Sequence, residues 1–110
     1  MSRTTASQDV YRAVSDPNRR AFLNALLDGP RSFGELAELA PITKGAVSQH
    51  LSILAEVGLV QVNPDDRQRR YQLTPAPLHE IDQWMAAYRV FWEDRLDRLG
   101  EAVDRRSKRT

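Results

Sequence analysis

The sequence contains no cysteine, which excludes disulfides, thiolate metal sites and cysteine nucleophiles together. It also lacks any apolar run near the ~18 residues that cross a bilayer. Residues 1–10 hold no apolar stretch resembling the core of a secretory signal, so the cytoplasm is the expected compartment. A charge imbalance is missing as well: 16 Lys and Arg against 15 Asp and Glu leave a net +1. Bulk electrostatics therefore do not advertise a nucleic-acid partner, and only local placement can. There is no glycine-rich phosphate loop, no histidine beside a plausible nucleophile and no metal triad. An enzyme is not expected.

What is present is 110 residues, 41% hydrophobic and 28% charged, an ordinary globular composition of one-domain size. The domain expected over 1–110 begins with helices across 9–28. Val10, Ala13 and Val14 form the apolar side of a first short helix. Asp16-Pro17 is a helix start, Asp16 capping and Pro17 filling a position where a missing N–H costs nothing. Phe22, Leu23, Leu26 and Leu27 then recur at helical spacing, and Gly29-Pro30 ends the run with a left-handed turn.

Ser32 and Glu35 form a capping box for a short helix with Leu36 and Leu39 inward, stopping near Ala40-Pro41. Thr43 caps a further helix that runs to about Val57, with Val47, Leu51 and Leu54 as one stripe and Gly58 as terminator. The period then changes from 3.6 to 2. Leu59–Val62 and Arg70–Leu73 read as strands around a turn at Asn63-Pro64-Asp65-Asp66. From Thr74-Pro75 to about 104, Leu78, Ile81, Met85, Tyr88, Trp92, Leu96 and Leu99 recur every three or four residues, and Gly100 ends or bends the helix before a basic tail of Arg105, Arg106, Lys108 and Arg109. A helix of ~25 residues spans roughly 37 Å. Its stripe, carrying both tryptophans, outruns the body that precedes it and calls for a second copy through a two-fold axis.

The order helix, short turn, helix and hairpin over 32–73 carries the functional reading. A helix that enters a major groove needs a core-facing stripe and an outer face of short polar side chains free of acids. Segment 43–57 has that face in Thr43, Lys44, Gly45, Ser48, Gln49 and Ser52, with its single acid, Glu56, at the far end. Gln49 can pair with adenine, Ser48 can donate or accept, and Lys44 suits guanine or phosphate. Arg67, Arg69 and Arg70 at the hairpin suit phosphate or a narrow minor groove. A plain helical hairpin with a solvated face is the alternative.

These residues carry a resemblance. Ser15-Asp16-Pro17-x-Arg19-Arg20, Phe33-Gly34-Glu35-Leu36-Ala37, Val47-Ser48-Gln49-His50-Leu51-x-x-Leu54, Gly58-Leu59-Val60 and Arg69-Arg70-Tyr71-x-Leu73-Thr74 fall in register across 10–75. Together they resemble the ArsR/SmtB family of winged-helix repressors. The pattern from Trp84 to Leu99 is similar to one branch of it. The resemblance implies a mainly α fold with a small β-hairpin, a winged helix-turn-helix. It also implies a homodimer docked through the first and last helices, placing Val10, Val14, Ile81, Trp84, Met85, Tyr88, Phe91, Trp92 and Leu96 at the seam. Residues 32–57 would be the helix-turn-helix, 43–57 the recognition helix, the hairpin over 59–73 the wing, and a palindromic operator in double-stranded DNA the partner. His50 occupies the family's Ser-x-His-Leu position. It is read as packed at the domain edge, bonded to neighbouring backbone and with phosphate contact in addition, in preference to a metal ligand.

Many members of the family release DNA on binding metal. The stretch Gly34–Leu39, where thiolate sensors carry cysteine, has no sulfur. No cofactor is expected; if nickel or zinc were sensed, the candidates are His79 with Asp82 or Glu80 from one protomer and Glu93 or Asp97 from the other. Oxygen-rich sets of this kind suit hard ions better. Acids on a long helix also serve as surface or as i,i+4 partners, as in Asp94 with Arg98 and Glu101 with Arg105. A protein-interaction module built on the same fold remains a third class of function.

Overall fold

Polar caps set the frame of the helical body. In the computed structural model, which describes residues 6–64 and 67–109, the first helix, α1, spans Ala6–Val14 and the second, α2, spans Pro17–Ala25. The Asp16 carboxylate accepts the amides of Asn18 and Arg19 at 2.8 and 3.2 Å, satisfying two of the donors a helix start leaves open. Burial follows the helical period: Val10 and Ala13 of α1 meet Phe22, Leu23 and Leu26 in one core. Leu27 does not join them. It is 71% exposed, because α2 tightens into a single 3-10 turn over Leu26–Asp28 that rotates the next side chain outward. Gly29 has φ 137° and ψ 178°, an extended mirror-image conformation open to glycine in place of the expected left-handed helical turn.

The capping box forms as its residue types dictate, with Ser32 Oγ accepting the Glu35 amide at 3.2 Å and Glu35 Oε1 accepting the Ser32 amide at 3.1 Å. The helix it starts, α3, covers only Phe33–Ala37, ending before the predicted Ala40-Pro41. Leu36 is buried, but Leu39 lies beyond the helix end and is exposed; Ala40 fills the core in its stead. The fourth helix, α4, spans Lys44–Glu56 with Thr43 Oγ1 accepting the Ala46 amide. Val47, Leu51 and Leu54 are buried along one face. At its end Gly58, with φ 79°, donates to Ala55 O and Leu59 donates to Leu54 O. These paired bonds reverse the chain at a left-handed glycine.

Strands β2 (Val60–Val62) and β3 (Arg70–Leu73) pair antiparallel, Val62 facing Tyr71 and Val60 facing Leu73. A third strand was not predicted. β1, Arg31–Ser32, pairs with β3 to give the order β1-β3-β2; two residues are too few to carry a period. The expected turn residues Asp65 and Asp66 lie outside the described residues. Tyr71 on the central strand is buried with Leu59 and Val60, which lays the sheet against the helices.

The last helix, α5, runs unbroken over Leu78–Arg109. At 1.5 Å per residue its length is about 48 Å, within a molecule whose longest extent is 59 Å. Gly100 neither ends nor interrupts it, and it starts three residues later than predicted and passes 104. Leu78 and Ile81 pack on the core. Arg105, Arg106, Lys108 and Arg109 have side chains outside the described residues, so the expected Glu101–Arg105 pair falls there too. Asp94 and Arg98 do pair, at 3.0 Å on the surface. Among the described residues no helix is long and apolar enough to cross a membrane.

Burial alone would raise the Asp16 carboxyl, but amide hydrogen bonds from Arg19 and Asn18 and the charges of His50 and Arg19 hold it below its ordinary value. A carboxyl depressed in the folded state stabilises above its unfolded pKa and loses that contribution as pH falls through the folded one. Asp16→Ala should therefore cost ~1 kcal/mol at neutral pH. Denaturant titration should show the gap to the parent closing as pH drops below about 4.

Candidate nucleic-acid interface

Because Val47, Leu51 and Leu54 take one side of α4 into the core, the opposite side is held outward as a ridge. Thr43, Lys44, Gly45, Ser48, Gln49 and Ser52 are all exposed, with Lys44, Ser48 and Ser52 one turn apart. Around Gly45, the Thr43 hydroxyl at 3.9 Å is the nearest atom to where a side chain would begin, so the ridge is open there to close approach. The helix end nearest this ridge is the N-terminal one, whose free amides and partial positive charge favour a phosphate.

His50 sits at the edge of the ridge, half-buried, with its ring 6.4 Å from that of Phe22. The expected bond to backbone is replaced by one to a side chain: Arg19 Nη1 lies 2.9 Å from His50 Nδ1. Arg19 is 8% exposed and is the buried charged residue of the described chain. Its Nε donates to Ala13 O at 2.7 Å and its Nη2 to Arg12 O at 3.1 Å. Arg20 reaches Val14 O at 2.8 Å beside it. The guanidinium thus closes the carbonyl end of α1, the pole at which a cation is favoured, and reaches across to α4.

The hairpin is tied to the helix-turn-helix at its base. Ser32, the cap of α3, also faces Arg70 in the ladder. Arg67, Arg69 and Arg70 are exposed, and Arg70 also donates to Gln68 Oε1 at 3.3 Å. Arg69 adopts φ 50°, a left-handed conformation that costs a side-chain-bearing residue roughly 1 kcal/mol. Strain of this sort, at a charged residue on a hairpin, is a feature the sequence did not announce.

The seam residues divide. Val10 is spent in the chain's own core and is unavailable to a partner in this conformation. Val14, Ile81 and Met85 are half-buried on the body, whereas Trp84, Tyr88, Phe91, Trp92 and Leu96 are exposed, Phe91 by 70%. Tyr11 meets Trp84 edge-on at 5.9 Å, and Trp84 meets Tyr88 at 5.4 Å. Leu99 and Val103 extend the exposed stripe. Of the metal candidates, Asp82 is held in an ion pair by Arg89, which also donates to its carbonyl. His79 and Glu93 are about 21 Å apart along α5. Among the described residues no three His, Asp or Glu side chains gather as a metal cluster.

Comparisons with known proteins agree in kind. Residues 16–62 match the profile of bacterial regulatory proteins of the arsR family. The chain is 35% identical to the HTH-type transcriptional regulator Rv2034 of Mycobacterium tuberculosis, over 94% of each chain. It is 32% identical to the transcriptional repressor SdpR of Bacillus subtilis, covering 70% of this chain and 86% of the relative. The crystal structure of an ArsR family transcriptional regulator superposes with a TM-score of 0.71 at 26% identity, covering 81% of this chain and 98% of that one.

Arg69→Gly separates charge from strain. The variant should melt no lower than the parent, since glycine tolerates the observed φ. Its DNA affinity, followed over a salt series, should show a slope shallower by about one for the lost phosphate contact. An unchanged slope would remove Arg69 from the interface.

Proposed function

The chain belongs to the ArsR family of bacterial regulatory proteins, and from that premise we infer that it is a cytoplasmic transcriptional repressor reading duplex DNA rather than an enzyme. The observation that carries this reading is the acid-free polar ridge of α4, held outward by its own buried stripe. In the proposed mode the N-terminal half of α4 enters the major groove. Gln49 and Ser48 read base edges, while Lys44, Thr43 and the α4 amides hold phosphate. The wing places Arg67, Arg69 and Arg70 along the adjacent backbone or minor groove. Residues 1–110 act as one unit.

The active species in this reading is a homodimer. Trp84, Tyr88, Phe91, Trp92 and Leu96 leave more contiguous apolar surface on one helix than a soluble monomer ordinarily keeps, and a two-fold axis is the simplest cover. Symmetry then sets two α4 ridges against half-sites about one helical turn apart, which makes the operator palindromic. Occupying such a site at a promoter blocks transcription.

The direct test is a gel shift on the DNA upstream of the chain's own gene. Gln49→Ala should cost ~1–3 kcal/mol per half-site on the operator and leave affinity for random duplex unchanged. Equal loss on both would reduce Gln49 to a backbone contact, and no duplex binding by the parent would favour a protein-interaction module. Trp92→Asp puts a charge in the seam and should sediment as a monomer. A mutant that stays dimeric would displace the seam.

A further inference from the structure

Arg19 is buried and reaches no outer surface of the helix-turn-helix, yet three of its nitrogens are committed: two to the carbonyl end of α1 and one to the recognition helix. The third contact has a chemical consequence. A guanidinium nitrogen can only donate. His50 Nδ1 must therefore accept at 2.9 Å, and the ring's proton must sit on Nε2. Nε2 has no partner among the described residues. The ring is half-buried with its Nδ1 edge turned toward Arg19 and Phe22 alongside, and its neighbour in sequence, Gln49, is on the exposed ridge.

We propose that Arg19 is a positioning residue for DNA binding: by donating to Nδ1 it fixes the His50 tautomer and ring orientation, and so presents Nε2–H as a donor to a phosphate oxygen beside α4. The proposal deepens the repressor reading and rests on it for the phosphate, though not for the tautomer. Two consequences distinguish it from ordinary core packing. A phosphate contact carries no base information, so its loss weakens operator and random duplex alike, unlike loss of Gln49. A neutral donor displaces no counterion, so its loss leaves the salt slope unchanged, unlike loss of an arginine on the wing.

The tautomer is read first, on free protein, from the imidazole nitrogen shifts in long-range proton–nitrogen NMR spectra. His50 should show the Nε2–H form alone in the parent and a mixture in Arg19→Met. An Nδ1–H form in the parent would overturn the proposal without touching the repressor reading. On DNA, His50→Leu should bind about tenfold more weakly to operator and random duplex, with the parent's salt slope. His50→Gln, whose amide can accept from Arg19 and still donate outward, should recover most of that loss. Arg19→Met should match His50→Leu and add nothing when combined with it. Should Arg19→Met fail to fold, the two His50 variants decide: equal affinity for Leu, Gln and parent overturns the proposal. A slope shallower by about one in His50→Leu also overturns it, since His50 would then act as a cation. Absence of duplex binding by the parent would instead sink the repressor reading, with the tautomer result standing.

Discussion

A guanidinium taken out of water must find acceptors for its N–H groups, and this one constraint organises the helical body. Arg19 stands at the third position of α2, placed there by the Asp16 cap, and its nearest acceptors are the carbonyls that α1 leaves unpaired at its end. Meeting both needs at once fixes the angle between the first two helices. The remaining nitrogen reaches His50, 31 positions along the chain, and thereby ties α4 to the same point. Breaking such a buried, charge-bearing cluster by removing one partner costs on the order of 3 kcal/mol, a large share of a small domain's stability. Apolar packing of Phe22, Leu23, Leu51 and Leu54 supplies the larger driving force, but it is indifferent to a few degrees of helix roll. The hydrogen bonds are not.

From that fixed point the molecule separates its surfaces by chemistry. On α4 the outward face is short, polar and free of acid over its first half, which suits an anionic partner. On α5 it is aromatic and aliphatic, with acids in ion pairs to nearby arginines, which suits a copy of itself. α1 lies between the two. It meets α5 through Tyr11 and Trp84 and meets α4 through Arg19, so whatever covers the tryptophan face is mechanically continuous with the face that would meet DNA.

Most of what could be read from residue order was local. The Asp16, Ser32 and Thr43 caps and the Gly58 stop follow from side-chain chemistry within four residues, and each forms with the bonds its type dictates. The stripe Val47–Leu51–Leu54 was equally plain. Leu27 and Leu39 misled because spacing alone cannot tell where a helix tightens or stops, and a residue one step past the end points elsewhere. β1 was invisible because pairing with β3 comes from proximity in the fold. Gly100 read as a break, yet one glycine costs a helix only about 1 kcal/mol, which the surrounding turns tolerate. The site's outer residues were legible from exposure logic. The Arg19–His50 bond was not, since two polar residues so far apart carry no periodic signal.

Ser32 belongs to two structures at once, ending a strand and beginning a helix. The foot of the hairpin therefore cannot slide without unseating α3, whereas the connection beyond Val62 bears no such obligation. Length and charge at that tip are free to drift among descendants of this protein, retuning how firmly it grips a backbone, while the geometry of the reading head stays locked. Grip and selectivity can evolve on separate schedules.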